Sequence, residues 1–548
     1  MKKSAILFLL LSLSCKGFAQ GTFSGDLMMN MNFFMKDTNI KASGNPLYDN
    51  ALSGSEGWLN LRYANTTGFT FYVRADAFNN SNLKNPVAAN TDFGIGAWNA
   101  TKEYNGLTIS VGSIYDQIGS GILFRSYEDR GLLIDNALIG IELKYKLTDN
   151  IMVKGFTGQQ KNNSGSNNLV NNVRYAPVIK GFNAEGDFGK GKLHLNPGIG
   201  VLNRTLDETS MQQVAQTINS QELSTRFLPM YNMYAFSAYN TLTYKNLSWY
   251  AEGAYKTHEA INVTNLYDPA NGRYADRAGN VEYTSINYGK KGIALSLTGK
   301  RTEDFVMRTS PGETLLNGML NWQPIVAVLR PERLMARYTP PSQDLSEMAG
   351  TANLSLSPND VTSFTFTYTN INTLDGHKLF REGYAEATYQ GIKSWLFNGG
   401  VQYLEYNSLV YTGISKYVVA PIQYAITPFA EVTYKINEKK SVRLEASYMN
   451  DMHDYGSWAF ALLEYNLAPR WSISASDMYN VDPNKGTDNP NYKNPGNHYY
   501  NIFTAYTKGP HRFTIAYVKQ VDGINCTGGV CRYEPAFSGV KATITTSF

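Results

Sequence analysis

Charge is scarce in this sequence. Asp, Glu, Lys and Arg make up 17% of its 548 residues, against about a quarter in an ordinary soluble domain. Long apolar runs are missing as well. After the N-terminus no stretch is long enough to cross a bilayer as a helix, which excludes a helical membrane protein. No Lys/Arg cluster stands out, so nucleic acid is not an expected partner. Cysteine is reduced to Cys15, Cys526 and Cys531, and the six histidines are scattered without metal-ligand spacing. There is no G-x-S-x-G, P-loop or H-E-x-x-H, so no catalytic site, cofactor or metal is expected. The stretch Asp482–Asp488 faintly resembles a calcium loop. Its twelfth position is Lys493 rather than an acid, so it reads as a flexible Asn/Pro loop.

Aromatic and small polar residues fill the gap: 38 Tyr, 26 Phe, 7 Trp and 47 Gly. That is too aromatic, with too little net charge, for a disordered chain. An all-β protein remains, either several soluble domains or one large barrel.

The N-terminus sets the compartment. Lys2 and Lys3 precede the apolar run Ala5–Leu11, and Gly17 and Ala19 are the small residues of a cleavage site. This is the layout of a secretory leader, residues 1–19, with an apolar core too short for an anchor. Cys15 as a lipoprotein cysteine is the weaker reading, because Ser12 stands where an aliphatic residue belongs. The leader holds three Lys and no acid, so its removal takes the formal charge from +4 to +1. Residues 20–548 form the exported part. Export permits a disulfide between Cys526 and Cys531, in a loop spanning 522–536, with two free thiols as the alternative.

The body of the chain alternates with a period of two. Leu247, Trp249, Ala251, Gly253 and Tyr255 lie on one face; Ser248, Tyr250, Glu252, Ala254 and Lys256 lie on the other. The same pattern sets Phe69, Phe71 and Val73 against Arg74 and Asp76, Ile141 and Leu143 against Glu142 and Lys144, and Val442 and Leu444 against Arg443 and Glu445. Such alternation is a strand signal. A soluble sandwich could produce it, but three features favour a transmembrane barrel. The strands often run ten residues or more. Short turns (65–68, 148–150, 189–192, 245–246, 357–360, 437–440, 468–470, 508–510) alternate with long polar stretches (159–175, 201–227, 262–280, 481–497), the loop parity of outer-membrane barrels. Finally, the alternation runs to a terminal aromatic: Val540, Ala542, Ile544 and Phe548 share a face, like the C-terminal sorting signal read by barrel-assembly machinery. A frayed polar tail would be the usual end of a soluble domain. The predicted fold is therefore all-β: one antiparallel transmembrane barrel of about 24 strands, 22 to 26, with short periplasmic turns and long outer loops. Strand-like sequence begins at Thr22–Lys36, which leaves no room for a plug domain ahead of the barrel, so a TonB-dependent transporter is not expected.

Two segments break the pattern. Residues 112–136 mix Gly112, Gly119, Gly121 and Gly131 with Arg125, Glu128, Asp129, Arg130 and Asp135; residues 301–348 hold five prolines with Arg330, Arg333 and Arg337. Proline at that density excludes a regular lipid-facing hairpin. Irregular backbone at membrane depth is tolerated inside protein or a wet cavity, so both segments are expected either to fold inward and narrow the lumen or to form long outer loops. Arg125, Glu128, Asp129, Arg130 and Asp135 are the candidate constriction. Arg74, Asp76, Glu142, Lys144, Glu252, Lys256, Arg443 and Glu445 are the candidate lumen lining, a mixture of signs that predicts weak selectivity.

Phe18-Ala19-Gln20, the Tyr127-Glu128-Asp129-Arg130 segment and Cys526–Cys531 with Arg532 together resemble an uncharacterised outer-membrane barrel family of Bacteroidota, a domain of unknown function. The resemblance covers most of the exported chain. In that family a glycine-rich Cys-x-x-x-x-Cys hairpin lies before the last strand. It implies location and architecture, and nothing about activity. The expected partners are the outer-membrane bilayer, the barrel-assembly machinery during biogenesis, and other outer-membrane or periplasmic proteins. Two functions follow from the pattern: a passive channel for small solutes, or a structural or accessory barrel of a larger outer-membrane machine. An enzyme is not expected.

Overall fold

Alternating apolar and polar side chains let one sheet face two solvents, and the chain uses this to close a single sheet on itself. The computed structural model describes residues 21–548 except 84–87, 133, 163–172, 266–267, 315–316, 335–337, 343–344, 413–421, 452–455, 482–495 and 528–529; at 264–272 and 524–532 only backbone placement is described. Twenty-five strand segments form the main sheet. Two of them, Val178–Gly186 and Phe188–Lys190, are one strand interrupted at Asp187, since both pair with Leu193–Thr205. The wall is thus a closed antiparallel barrel of 24 strands. Closure is made by Gly21–Phe34, which pairs with Ser53–Asn65 on one side and Phe537–Ser547 on the other. Reciprocal 2.9 Å hydrogen bonds between Gly25 and Phe548 fix the seam. Val540, Ala542 and Ile544 stand opposite Phe33, Met31 and Met29.

At one end the connections are short, as between Asn65 and Phe69, Tyr104 and Leu107, or Tyr244 and Leu247. The other end carries the long ones. Ile141, Leu143, Ile199, Leu444, Ile473 and Ile515 are exposed on the outer face. Below them, near the short turns, sits a ring of rings: Trp395 lies 4.6 Å from Tyr434 and Trp471 4.7 Å from Tyr506. Above them Trp98, Tyr234, Tyr255, Tyr403 and Tyr448 are again outward and exposed. An apolar band between two aromatic girdles is the surface a bilayer selects.

Two stretches that read as polar loops are regular. Leu247–Asn265 and Asp268–Lys290 form a long hairpin that covers much of 262–280. Strands rising past the lipid band have water on both faces, so the alternation that marks them elsewhere is lost. Glu208–Asn219, within 201–227, is a helix. The Asp207 carboxylate caps it by accepting from the Thr209 and Ser210 N–H groups, and Met211, Val214 and Ile218 are its buried stripe. Gly523–Thr527 and Val530–Glu534 pair as a hairpin with Cys526 directly opposite Cys531. Those two side chains, the leader and the stretch 482–488 lie outside the described residues.

Candidate functional site

Three connections from the long-loop end turn inward. The first, 35–52, buries Ile40, Leu47 and Tyr48 against Phe34 and Phe537, and the Tyr48 hydroxyl donates to the Ala536 carbonyl at 3.1 Å. The second, 115–137, follows the strand Leu107–Ile114, near whose end Gly112 has φ +114° and a position where a Cβ would lie 2.4 Å from the Trp98 carbonyl, so only glycine fits there. Its knob of Ile118, Ile122, Leu123 and Phe124 is fully buried on Ile179, Leu202, Met233 and Val281 of the inner wall. A Cβ on Gly200 would meet Ile118 at 2.5 Å, so glycine in the wall makes the socket. The third, 304–346, lays Val326, Ala327, Leu334 and Tyr338 on Ile371, Phe380, Leu404 and Trp458.

The second and third segments are stitched together. The Arg125 N–H donates to Leu320 O and the Trp322 N–H to Gly121 O, both at 2.9 Å. The Arg125 guanidinium stacks on Tyr127 at 4.3 Å and on Trp322 at 4.7 Å. Burial pushes the Tyr127 hydroxyl up to about 12.

Charge holds the second segment to the wall. Arg74 binds Asp76 at 2.7 Å, Asp135 at 2.7 Å and Glu128 at 3.0 Å. Lys161 also reaches Asp135, at 2.6 Å. Burial acts against the Asp135 charge, but Lys161 and Arg74 beside it hold the carboxyl below the usual carboxylate range. Arg130 binds Glu128 at 2.8 Å and lies over Trp58. Asp129 accepts from the Leu132 N–H, closing a turn. Deeper, Asp116 binds Lys144 at 3.1 Å and Lys154 at 3.0 Å, and Lys144 binds Glu142 at 3.2 Å. At the tip, Ser120 donates through its backbone N–H to Glu252 at 3.1 Å. Glu252 is the sixth residue of a strand that starts at Leu247 by the short turns, so the segment reaches most of the way down the wall.

The remaining candidates divide. Lys256 is fully buried, bound to Glu259 at 2.9 Å and donating to Val306 O at 2.9 Å in the third segment. Arg443 and Glu445 meet none of these groups. They sit lower, half-buried, where Arg443 bridges Glu431 at 2.9 Å, Glu464 at 3.1 Å and Glu445 at 3.4 Å. Sequence reading overlooked Lys161, Glu382 and the whole 35–52 connection. The signal in the last was apolar content, with Ile40, Leu47 and Tyr48 in a loop otherwise written in Asn, Gly and Pro. The third segment is anchored by Arg333, fully buried and 2.7 Å from an equally buried Glu382, and by Arg330, 3.6 Å above the Tyr384 ring. Arg337 lies outside the described residues. Among the described residues no group of His, Cys, Asp and Glu is placed to hold a metal.

Below these contacts the inner wall is polar and partly wet. One cavity of about 930 Å³ is lined by Asp26, Asn60, Tyr72, Thr101 and Lys144 among others. Another of about 510 Å³ is lined by Thr243, Ser248, Asn287, Ser296 and Asn353.

Solved barrels share parts of this fold. The siderophore receptor PirA from Pseudomonas aeruginosa aligns over 96% of this chain and 80% of its own, at 9% identity and a TM-score of 0.44. The copper transporter OprC aligns over 97% and 82%, at 8% identity and 0.43. The translocation pore of the P pilus usher PapC aligns over 96% and 99%, at 9% identity and 0.43. Likeness this low carries nothing about function. No curated protein matches the chain. One family model spans it entirely, residues 1–548, and by that match the chain belongs to a family of unknown function, DUF6029.

Proposed function

We propose that this protein is an integral barrel of the bacterial outer membrane, delivered by a cleaved leader and closed at rest by its own inward connections. It acts through its surfaces, as a structural or accessory barrel within a larger outer-membrane assembly. The observation that carries this is the buried layer inside the wall. Side chains of 35–52, 115–137 and 304–346 cover inner-face residues from Phe34 through Trp458 to Phe537. A barrel of this width would otherwise hold an aqueous lumen. The layer is packed with apolar side chains and buried ion pairs, the composition of a core rather than of a pore. Arg125, Glu128, Arg130 and Asp135 belong to it as fastenings.

A second reading, the passive channel for small solutes, draws support from the two polar cavities beneath the layer. Conductance of the purified protein in planar bilayers separates the two. The closed reading expects no steps above background, and regular ohmic steps would overturn it. Pull-down from native membranes under mild detergent tests the assembly, and recovery of a lone barrel at full yield would count against a partner.

A further inference from the structure

Burial of the inner wall is not uniform along its height. On the strand Lys378–Tyr389, Glu382 is fully buried while Glu386, one helical-free step of four residues nearer the short turn, is half-buried. On Ile422–Asn437, Thr427 is fully buried and Glu431 is not. On Leu247–Asn265 the same holds for Lys256 against Ser248. On these three strands the covered half lies toward the long loops, the end from which the inward connections hang. The less covered half lies toward the short turns, and residues of that half line both polar cavities.

We infer that the lumen is a one-sided cup, open at the short-turn end and sealed at the long-loop end, which admits small polar solutes from the short-turn side only. This rests on the closed-barrel reading above and adds its direction. The chemistry of the cup is set by its lining. Ser248, Asn287, Ser296 and Asn353 present hydroxyl and amide groups, with Lys245 and the apolar Leu247 and Leu295 beside them, a lining that suits small hydrogen-bonding solutes. A solute or partner segment that uses the lumen must therefore come from the side to which Gly21 and Phe548 are also turned.

Two single-cysteine variants test it in proteoliposomes, in a background carrying Cys15→Ser, Cys526→Ser and Cys531→Ser. Gln212→Cys lies on the exposed face of the long-loop helix, and Ser248→Cys lies in the cup. A small sulfonated maleimide is added outside vesicles that hold a trapped dye of similar size. Whatever the mixture of orientations, the fractions labelled from outside at the two positions should sum to one, with the dye retained. Ser248→Cys labelled in every vesicle, or in none, with dye retained would overturn the cup. Dye lost through the protein would overturn the closed barrel itself, and the cup with it.

Discussion

The second and third inward segments pack on the inner wall with opposite charge assignments. In 115–137 the segment supplies the carboxylates, Asp116, Glu128 and Asp135, and the wall supplies the cations, Lys144, Lys154, Arg74 and Lys161. In 304–346 the segment supplies Arg333 and the wall supplies Glu382. Backbone order differs too. The second segment folds into two small hairpins, 117–118 with 124–125 and 128–129 with 134–135. The third, rich in proline that cannot donate to a ladder, has among its described residues one isolated bridge, Arg308 to Met319, and one short 3-10 turn at Pro331–Arg333. Each segment is keyed to its own sector of wall, so neither could replace the other: exchanging them would set like charges face to face in a low-dielectric layer.

Removing a segment should have the largest effect. The flanking strands are already paired, Ile114 with Leu138 and Thr302 with Glu347, so a short Gly/Ser turn can replace either connection without opening the wall. Replacing 304–346 is expected to turn a silent barrel into one with large conductance steps in planar bilayers. It takes away both its own apolar cover and the strip around Leu320 and Trp322 to which the second segment is stitched. Replacing 115–137 should give smaller steps, because the third segment keeps its Arg333 anchor. Equal steps would mean that the segments do not depend on one another as the stitch requires.

Single anchors come next. Arg333→Ala leaves Glu382 buried with Gln402 beside it and without its cation, and Arg74→Ala takes from the buried Asp76 the cation bonded to it, leaving only the field of Lys161. Breaking a buried pair on one side costs about 3–5 kcal/mol. Both should lower the temperature at which the folded barrel loses its gel mobility. Rescue separates them: Glu382→Gln should restore only the first variant and Asp76→Asn only the second. In Arg74→Ala, Asp135 keeps Lys161 and Glu128 keeps Arg130, so one neutralisation is enough.

The wall was legible in the sequence because lipid on one side and water on the other impose a period of two. The short turns and the terminal Phe548 marked its ends. The far part of the hairpin, 262–280, and the helix Glu208–Asn219 were not, because beyond the bilayer nothing forces a strand to alternate and a capped helix can hide in a polar stretch. For the candidate site, Gly, Pro and charge density pointed to 112–136 and 301–348, and alternation put Arg74, Glu252 and Lys256 on one face of their strands. What pairs with what could not be read. Arg74 and Asp135 lie 61 residues apart, and no local pattern encodes a contact across a lumen. Nor was Asp129 separable from Glu128, since a turn carboxylate and an ion-pair carboxylate look alike in sequence.

A smaller effect is expected at the stitch. Arg125→Ala removes two cation–π contacts, each worth about 0.5–2 kcal/mol by burial, while the backbone bonds to Leu320 and Gly121 remain. Hydrogen exchange should quicken at Arg125 and Trp322 with wall amides unchanged. Faster exchange in the wall as well would show that the stitch supports the barrel and does not merely join two inserts.

The gentlest probe of the contrast is acid. The Asp135 carboxyl is held below the ordinary carboxylate range, although its burial alone would raise it, because Lys161 and Arg74 favour its charged form. A group whose folded pKa is depressed adds stability in full above its unfolded value, about 3.9 for Asp. That stability is lost only as the pH falls through the lower folded value. The second segment should therefore stay seated as the pH drops to about 4 and loosen below it. Proteolysis reports the change as cleavage within 115–137, read by mass spectrometry, with pepsin on the acid side and subtilisin toward neutral pH. Protection that fails well above pH 4 would mean that Asp135 is not the fastening. In Asp135→Asn the carboxylate is gone, and Lys161 and Arg74 face an amide that cannot take their charge. The segment should then be cut more readily at neutral pH, and the step between neutral and acid should flatten.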